Sequence, residues 1–223
     1  MTTLETIDIE TAPGPRAAVI LLHGLGADGN DFVSIVQELE LGEVGPVRFV
    51  FPHAPVIPVT INGGYRMRAW YDILGTETQL REDEAGLRQS QASIEALLER
   101  EKARGIPADR IVLAGFSQGC AMALLTGLRH RERLAGIVGL SGYLPLAQTT
   151  EAERSDANRL TPVFLAHGRQ DSMIVIDRAR ASLDALRTLG VQVEWHEYPM
   201  AHSVCMEEIG DLGAWLRKVL APA

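Results

Sequence analysis

Six apolar runs punctuate this chain, each closed by glycine, proline or a small polar residue. Ala17-Ala18-Val19-Ile20-Leu21-Leu22 ends at His23-Gly24, and Val47-Arg48-Phe49-Val50-Phe51 ends at Pro52. Residues 110–114 end at Gly115, 134–140 at Ser141-Gly142, 162–166 at His167-Gly168 and 191–198 at Pro199. A strand buried on both faces loses the apolar–polar alternation of a half-exposed one, so these runs predict parallel strands. Amphipathic stretches lie between them. From Ala85 to Arg104 the apolar residues 87, 94, 97 and 98 form one stripe. Asp177 to Leu189 carries Ala179, Leu183, Leu186 and Leu189 on one side, and Met206 to Leu220 carries Ile209, Leu212, Leu216, Val219 and Leu220. That spacing predicts helices. Cys120-Ala121-Met122-Ala123-Leu124-Leu125 is apolar all round and predicts the start of a buried helix.

Strand–helix alternation over the whole length predicts an α/β architecture: a doubly wound, mostly parallel sheet with helices on both faces. The 223 residues contain no repeat, low-complexity tract or Gly/Ser linker, so one domain over 1–223 is expected. In such sheets a site forms where loops leave the carboxyl ends of the strands, and each small or polar motif above sits at such an end. Segment 54–80 breaks the alternation. It holds Pro55, Pro58, Gly63 and Gly64, then Tyr65, Met67, Trp70, Tyr71, Ile73 and Leu74. It predicts a long loop that folds back on the body or lines a pocket, and no large lid domain.

Composition narrows the partners. The formal net charge of -8, with acids spread along the chain, argues against nucleic acid and against tight binding to anionic lipid. The basic run Arg129, His130, Arg131, Arg133 reads as a solvated helix end, where cations suit the dipole. No apolar run approaches the ~18 residues of a membrane span, so no stable membrane insertion is expected, and residues 1–8 lack a secretory pattern. Cys120 and Cys205 lack metal-ligand spacing and read as two buried thiols in a reduced, cytoplasmic protein.

The candidate chemistry centres on Gly115-Phe116-Ser117-Gln118-Gly119. Gly-x-Ser-x-Gly arises by chance in roughly one chain in ten of this length, so its position between strand and helix carries the argument. A serine there sits on a tight nucleophile elbow, its oxygen held out at the end of a strand. Serine is a weak nucleophile until a base takes its proton, and the base is oriented by a buried carboxylate. With this elbow the chain order is Ser, then acid, then His. Of the downstream histidines, His130 falls at the far end of the elbow helix and reads as surface. His167 leaves no suitable acid between itself and the elbow, and His196 lies inside the last strand. His202, in the loop after that strand, is the expected base. Asp171, just beyond the strand 162–166, is the expected acid, since Glu153 and Asp156 lie at that strand's wrong end and Asp177 and Asp184 on a helix face. An oxyanion hole needs two backbone N–H groups. Gln118, after the serine, and Leu25, in the loop His23-Gly24-Leu25-Gly26, are the expected donors. His23 reads as a structural histidine holding that loop.

These residues, with Phe51-Pro52-His53-Ala54-Pro55, Met67-Arg68-Ala69-Trp70-Tyr71-Asp72 and Leu140-Ser141-Gly142-Tyr143-Leu144-Pro145, occur in order over nearly the whole chain. The set resembles the carboxylesterase/acyl-protein thioesterase family, also called phospholipase/carboxylesterase, of the α/β-hydrolases. The resemblance implies the α/β-hydrolase fold, Ser117, Asp171 and His202 as triad, and Leu25 and Gln118 as oxyanion donors. It also implies that Trp70 lines the acyl pocket, and, since members often form homodimers, it raises a homodimer as an expectation. Three positions depart from the family pattern: Ala201 and Cys120 replace glycines, and Met173-Ile174-Val175 replaces a Val-Pro pair after the acid. The last is expected to reshape the pocket.

The expected function is a serine hydrolase that cleaves carboxylic esters of small to medium acyl chains through an acyl-enzyme, with no cofactor and no metal. Acyl-protein thioesterase or lysophospholipase activity with the same residues is the alternative, and a catalytically silent binding module a remote one. A dienelactone hydrolase would want cysteine where Ser117 stands.

Overall fold

Every residue of β2 (Ala17–Leu22) is buried, because both faces of this strand are covered. Ala17, Val19 and Leu21 pack with Ile35, Leu212, Trp215 and Leu216, whereas Ala18, Ile20 and Leu22 pack with Leu87, Ile94, Leu97 and Leu124 on the other side. The apolar run thus feeds two separate cores, one on each face of the sheet. The computed structural model describes residues 4–76 and 79–221.

In chain order, β1 (Thr6–Glu10) and β2 are followed by α1 (Ile35–Glu38) and β3 (Val47–Pro52). Four short strands come next: β4 (Val56–Val59), β5 (Tyr65–Arg68), β6 (Ile73–Thr76) and β7 (Gln79–Glu82). Then come α2 (Glu84–Ala103), β8 (Ile111–Phe116), α3 (Gln118–Arg129), β9 (Gly136–Leu140), α4 (Ala147–Glu153), β10 (Val163–Gly168), α5 (Ile176–Thr188), β11 (Val193–Tyr198) and α6 (Met206–Val219). The main sheet runs β1-β3-β2-β8-β9-β10-β11. All its pairings are parallel except β1 with β3. The α/β-hydrolase architecture with helices on both faces is present, and the described residues form no large lid domain.

The winding positions the site. From β2 the chain moves outward to β3, then returns to β8 on the other side of β2 and continues to β11. The order therefore reverses between β2 and β8, and the loops after these two strands diverge there. Such a switch point leaves a crevice at the carboxyl ends.

Four expectations are corrected. Segment 54–80 is no structureless loop: β4 pairs antiparallel with β5, and β6 with β7, while its residues 77 and 78 lie outside the described residues. Gly63 and Gly64, both at positive φ, make the first hairpin's turn, and Asp72 locks it by accepting from the Thr60 N–H at 2.7 Å and from the Thr60 hydroxyl. His130 is fully buried, not surface: its Nδ1 lies 2.6 Å from Glu95, and its carbonyl accepts from Asn158. The Arg129 side chain is likewise buried, in an ion pair with Glu153 at 2.6 Å, so that helix end is not simply solvated. Cys205 caps α6 and is only half-buried, whereas Cys120 is fully enclosed. Strand β1 carried no signal, because it is a half-exposed antiparallel edge of five residues. Among the described residues no helix is long and apolar enough to cross a membrane.

Candidate active site

Ser117 stands at φ 56°, ψ −117°, a conformation an L-residue rarely takes. The elbow imposes it. A Cβ on Gly115 would lie 2.1 Å from the Gly119 carbonyl oxygen, and one on Gly119 the same distance from the Leu22 carbonyl oxygen. Only glycine at both places lets α3 start against the ends of β8 and β2.

The other two side chains arrive on the loops after β10 and β11. Asp171 Oδ1 accepts from the N–H groups of Met173 and Ile174, each at 2.9 Å, which fixes the carboxylate in its turn. Its Oδ2 lies 2.7 Å from His202 Nδ1, and His202 Nε2 lies 2.9 Å from Ser117 Oγ. The Asp171 side chain is fully buried and that of His202 is 12% exposed. The Phe116 ring packs on the imidazole with centroids 4.9 Å apart. The loop carrying His202 crosses close to β10: a Cβ on Gly168 would lie 2.3 Å from the Met200 carbonyl oxygen. With the carboxylate accepting at Nδ1–H, Nε2 is left to accept the serine proton.

Leu25 borders the same cleft as Ser117, Gln118 and His202. The Gln118 N–H opens α3, where no intrahelical acceptor exists. Among the described residues neither it nor the Leu25 N–H is taken by another group of the protein. His23 holds the Leu25 loop: its Nδ1 donates to the Gly24 carbonyl at 2.7 Å, and its Nε2 accepts from Ala54 N–H at 3.0 Å. Burial keeps this imidazole below the usual histidine range.

Trp70 is not brought into the wall of that cleft. Its side chain is almost wholly buried and borders a separate hollow with His53, Pro55 and Arg68. The indole Nε1–H donates to the His23 carbonyl at 2.9 Å, and its backbone N–H donates to Gln118 Oε1 at 3.0 Å. Trp70 therefore ties the Leu25 loop to the elbow from behind, the loop through its indole and the elbow through its backbone N–H. The neighbouring Tyr71 borders the cleft instead.

Three groups escaped the residue pattern. The Gln118 side chain clamps the backbone of Trp70 and Tyr71 through both its amide atoms. His167 donates from Nε2 to the Ile174 carbonyl at 2.7 Å and lies 3.4 Å from Asp171, so it braces the turn of the acid. Its place at the end of β10, four residues before Asp171, was the available signal. Tyr143, after β9, borders the cleft and meets Tyr71 at 3.0 Å between hydroxyl oxygens. Cys120 lies beneath the elbow, its thiol pushed up to about 12 by burial.

The cleft encloses about 450 Å³ and opens to solvent. Away from it, Glu99, His130 and Glu132 form a group of metal-ligand type, but the Lys102 ammonium already bridges the two carboxylates.

A family model described as phospholipase/carboxylesterase matches residues 6–220. The chain is 42% identical over 215 residues to acyl-protein thioesterase 1 of Gibberella zeae, covering 92% of each chain. It is 40% identical over 207 residues to acyl-protein thioesterase 1 of Yarrowia lipolytica, covering 91% of each. Among solved structures, SOBER1 of Arabidopsis thaliana superposes with a TM-score of 0.87 at 28% identity, covering 92% of this chain and 99% of that one. Acyl-protein thioesterase 2 of Zea mays gives 0.85 at 28% identity, covering 97% and 99%.

Proposed function

The chain belongs to the phospholipase/carboxylesterase family, and from that premise we propose that Ser117, His202 and Asp171 are its catalytic triad, with the N–H groups of Leu25 and Gln118 as oxyanion hole. It is a serine hydrolase acting on ester or thioester bonds. The observation that carries the residue assignment is the continuous chain of hydrogen bonds from Ser117 Oγ through His202 to Asp171.

Ser117 Oγ attacks the acyl carbon while His202 Nε2 takes its proton. Asp171 keeps the imidazole in the required tautomer and stabilises its charged form. The carbonyl oxygen gains charge, which the two N–H groups meet. His202 then passes the proton to the leaving alcohol or thiol, and water, activated by the same imidazole, releases the acid from Ser117. Small to medium acyl groups fit a cleft of about 450 Å³ that no lid domain among the described residues covers. A thioester reading has its own support: curated relatives at 40–42% identity over nine-tenths of the chain are named acyl-protein thioesterases. The unpaired thiols of Cys120 and Cys205 favour a cytoplasmic setting.

A fluorophosphonate probe combined with a matrix of oxygen esters and thioesters of increasing acyl length tests these readings. Labelling at Ser117, with turnover highest for short and medium oxygen esters, is the expected result. Labelling elsewhere overturns the triad, and a dominant rate on thioesters turns the function to the second reading.

A further inference from the structure

Arg178, in the first turn of α5, borders the cleft that holds Ser117 and His202. Its guanidinium carbon lies 3.4 Å from the centre of the Tyr143 ring, so the planar group is stacked on the aromatic face. The side chain is half-buried, yet among the described residues it forms no ion pair and donates to no carbonyl. Its neighbour Arg180 pairs with Asp177 and Glu197. Enclosed arginines elsewhere, such as Arg48, Arg68, Arg129 and Arg154, each hold a carboxylate or a backbone carbonyl. No carboxylate or carbonyl among the described residues takes the Arg178 donors, so those not directed at the Tyr143 hydroxyl are available to something that enters the cleft.

The neighbouring groups match that reading. Tyr143 and Tyr71 share one hydrogen bond at 3.0 Å, in which one phenol donates to the other. The second phenol hydrogen remains unspent. Burial pushes both phenols above the usual tyrosine range, so they stay protonated and remain donors at neutral pH. A cation and a hydroxyl donor side by side suit an oxygen anion. The cleft also carries two carboxylates and a second arginine. Asp72 accepts from Thr60, and Glu82 accepts from the Leu146 N–H at 3.1 Å, so both are already engaged. Arg81 is exposed at the rim. Two fixed negative charges on the wall make a doubly charged phosphate unfavourable, whereas a singly charged carboxylate meets the stacked guanidinium.

We infer that Arg178, stacked on Tyr143, forms a subsite for a free carboxylate on the substrate, so that this hydrolase favours esters bearing a second, unesterified carboxylate over neutral esters of the same length. The inference rests on the triad proposed above. The bond broken remains the acyl bond attacked by Ser117; Arg178 only orients the substrate's other end.

The test compares matched substrates on the full chain. On the acyl side, 4-nitrophenyl hydrogen adipate is paired with its methyl-capped diester. On the alcohol side, 3-acetoxybenzoate is paired with its methyl ester. The readout is the ratio of kcat/KM, free acid over capped ester, within each variant. A charge-assisted contact predicts a ratio of about tenfold or more in the wild type on one of the two sides. Arg178→Gln should remove most of that ratio. Arg178→Lys should keep part of it, because an ammonium retains charge but not the stacked fork, and Tyr143→Phe should lower it less. Equal ratios in wild type and Arg178→Gln on both sides, with the capped esters still turned over, overturn the carboxylate subsite alone. No turnover of any ester together with an unlabelled Ser117 overturns the triad reading and this inference with it.

Discussion

His202 Nε2 stands 2.9 Å from Ser117 Oγ, although 85 residues separate the two in the chain. Nothing local enforces this distance. The serine is set by the elbow at the end of β8, and the imidazole by Asp171 on one side and the Phe116 ring on another. The contact is therefore the product of three loops at the ends of three parallel strands. Of the three side chains, Asp171 is held by backbone N–H groups of its own loop.

Replacing Ser117 by alanine should abolish labelling by a fluorophosphonate probe and lower kcat by several orders of magnitude. Circular dichroism should be unchanged, because only one oxygen on the cleft surface is lost. Full labelling of this variant would move the nucleophile elsewhere.

His202→Ala should be about as damaging as loss of the serine, since the groups act as a unit. Asp171→Asn should be severe but less so, because the amide still occupies the turn while favouring the wrong tautomer. Active His202 variants alongside dead His196 or His167 variants would reassign the base.

Trp70→Ala should act on the fold rather than on acyl length. The indole is buried, and its Nε1–H holds the His23 carbonyl. Removing it should cost about 3–5 kcal/mol of stability and lower turnover of acetyl and longer esters alike. An unchanged melting temperature with a loss confined to long acyl chains would return the ring to the acyl pocket.

Glu208 predicts a pH effect on stability. It is buried in the first turn of α6, and burial pushes its carboxyl from 4.5 up to about 8, partly offset by the Cys205 N–H. Between those values the folded protein keeps a proton that the unfolded chain releases. Stability from this group is thus fully present below pH 4.5 and is lost as pH rises towards 8. Glu208→Gln should flatten that decline, so the variant gains on the wild type at pH 8–9 and matches it near pH 4. Urea midpoints measured across the range check this; parallel curves for the two proteins would refute it.

Much of the site was legible because its chemistry sits at strand ends, and strand ends are marked by residue type. A buried parallel strand must be apolar throughout, so the first Gly, Ser or His after the run marks the carboxyl edge. Ser117, Asp171 and His202 stand at three such edges, and the two elbow glycines betray a turn too tight for a Cβ. What lies beyond the strands carried no such mark. The direction of Trp70 depends on which side of its segment faces the elbow, and the Gln118 amide, on the opposite element, decides it. His130 and Arg129 look like a solvated helix end until Glu95, Glu153 and Asn158 are brought over them from distant parts of the chain. Arg178 resembles any polar residue on a helix face; only the approach of Tyr143 makes it a stacked, unpaired cation in the cleft. Periodicity reports how each element divides its residues between core and water. Which polar groups meet across elements is settled by packing, because hydrogen bonds and ion pairs depend on distances of a few ångströms that no one-dimensional spacing encodes.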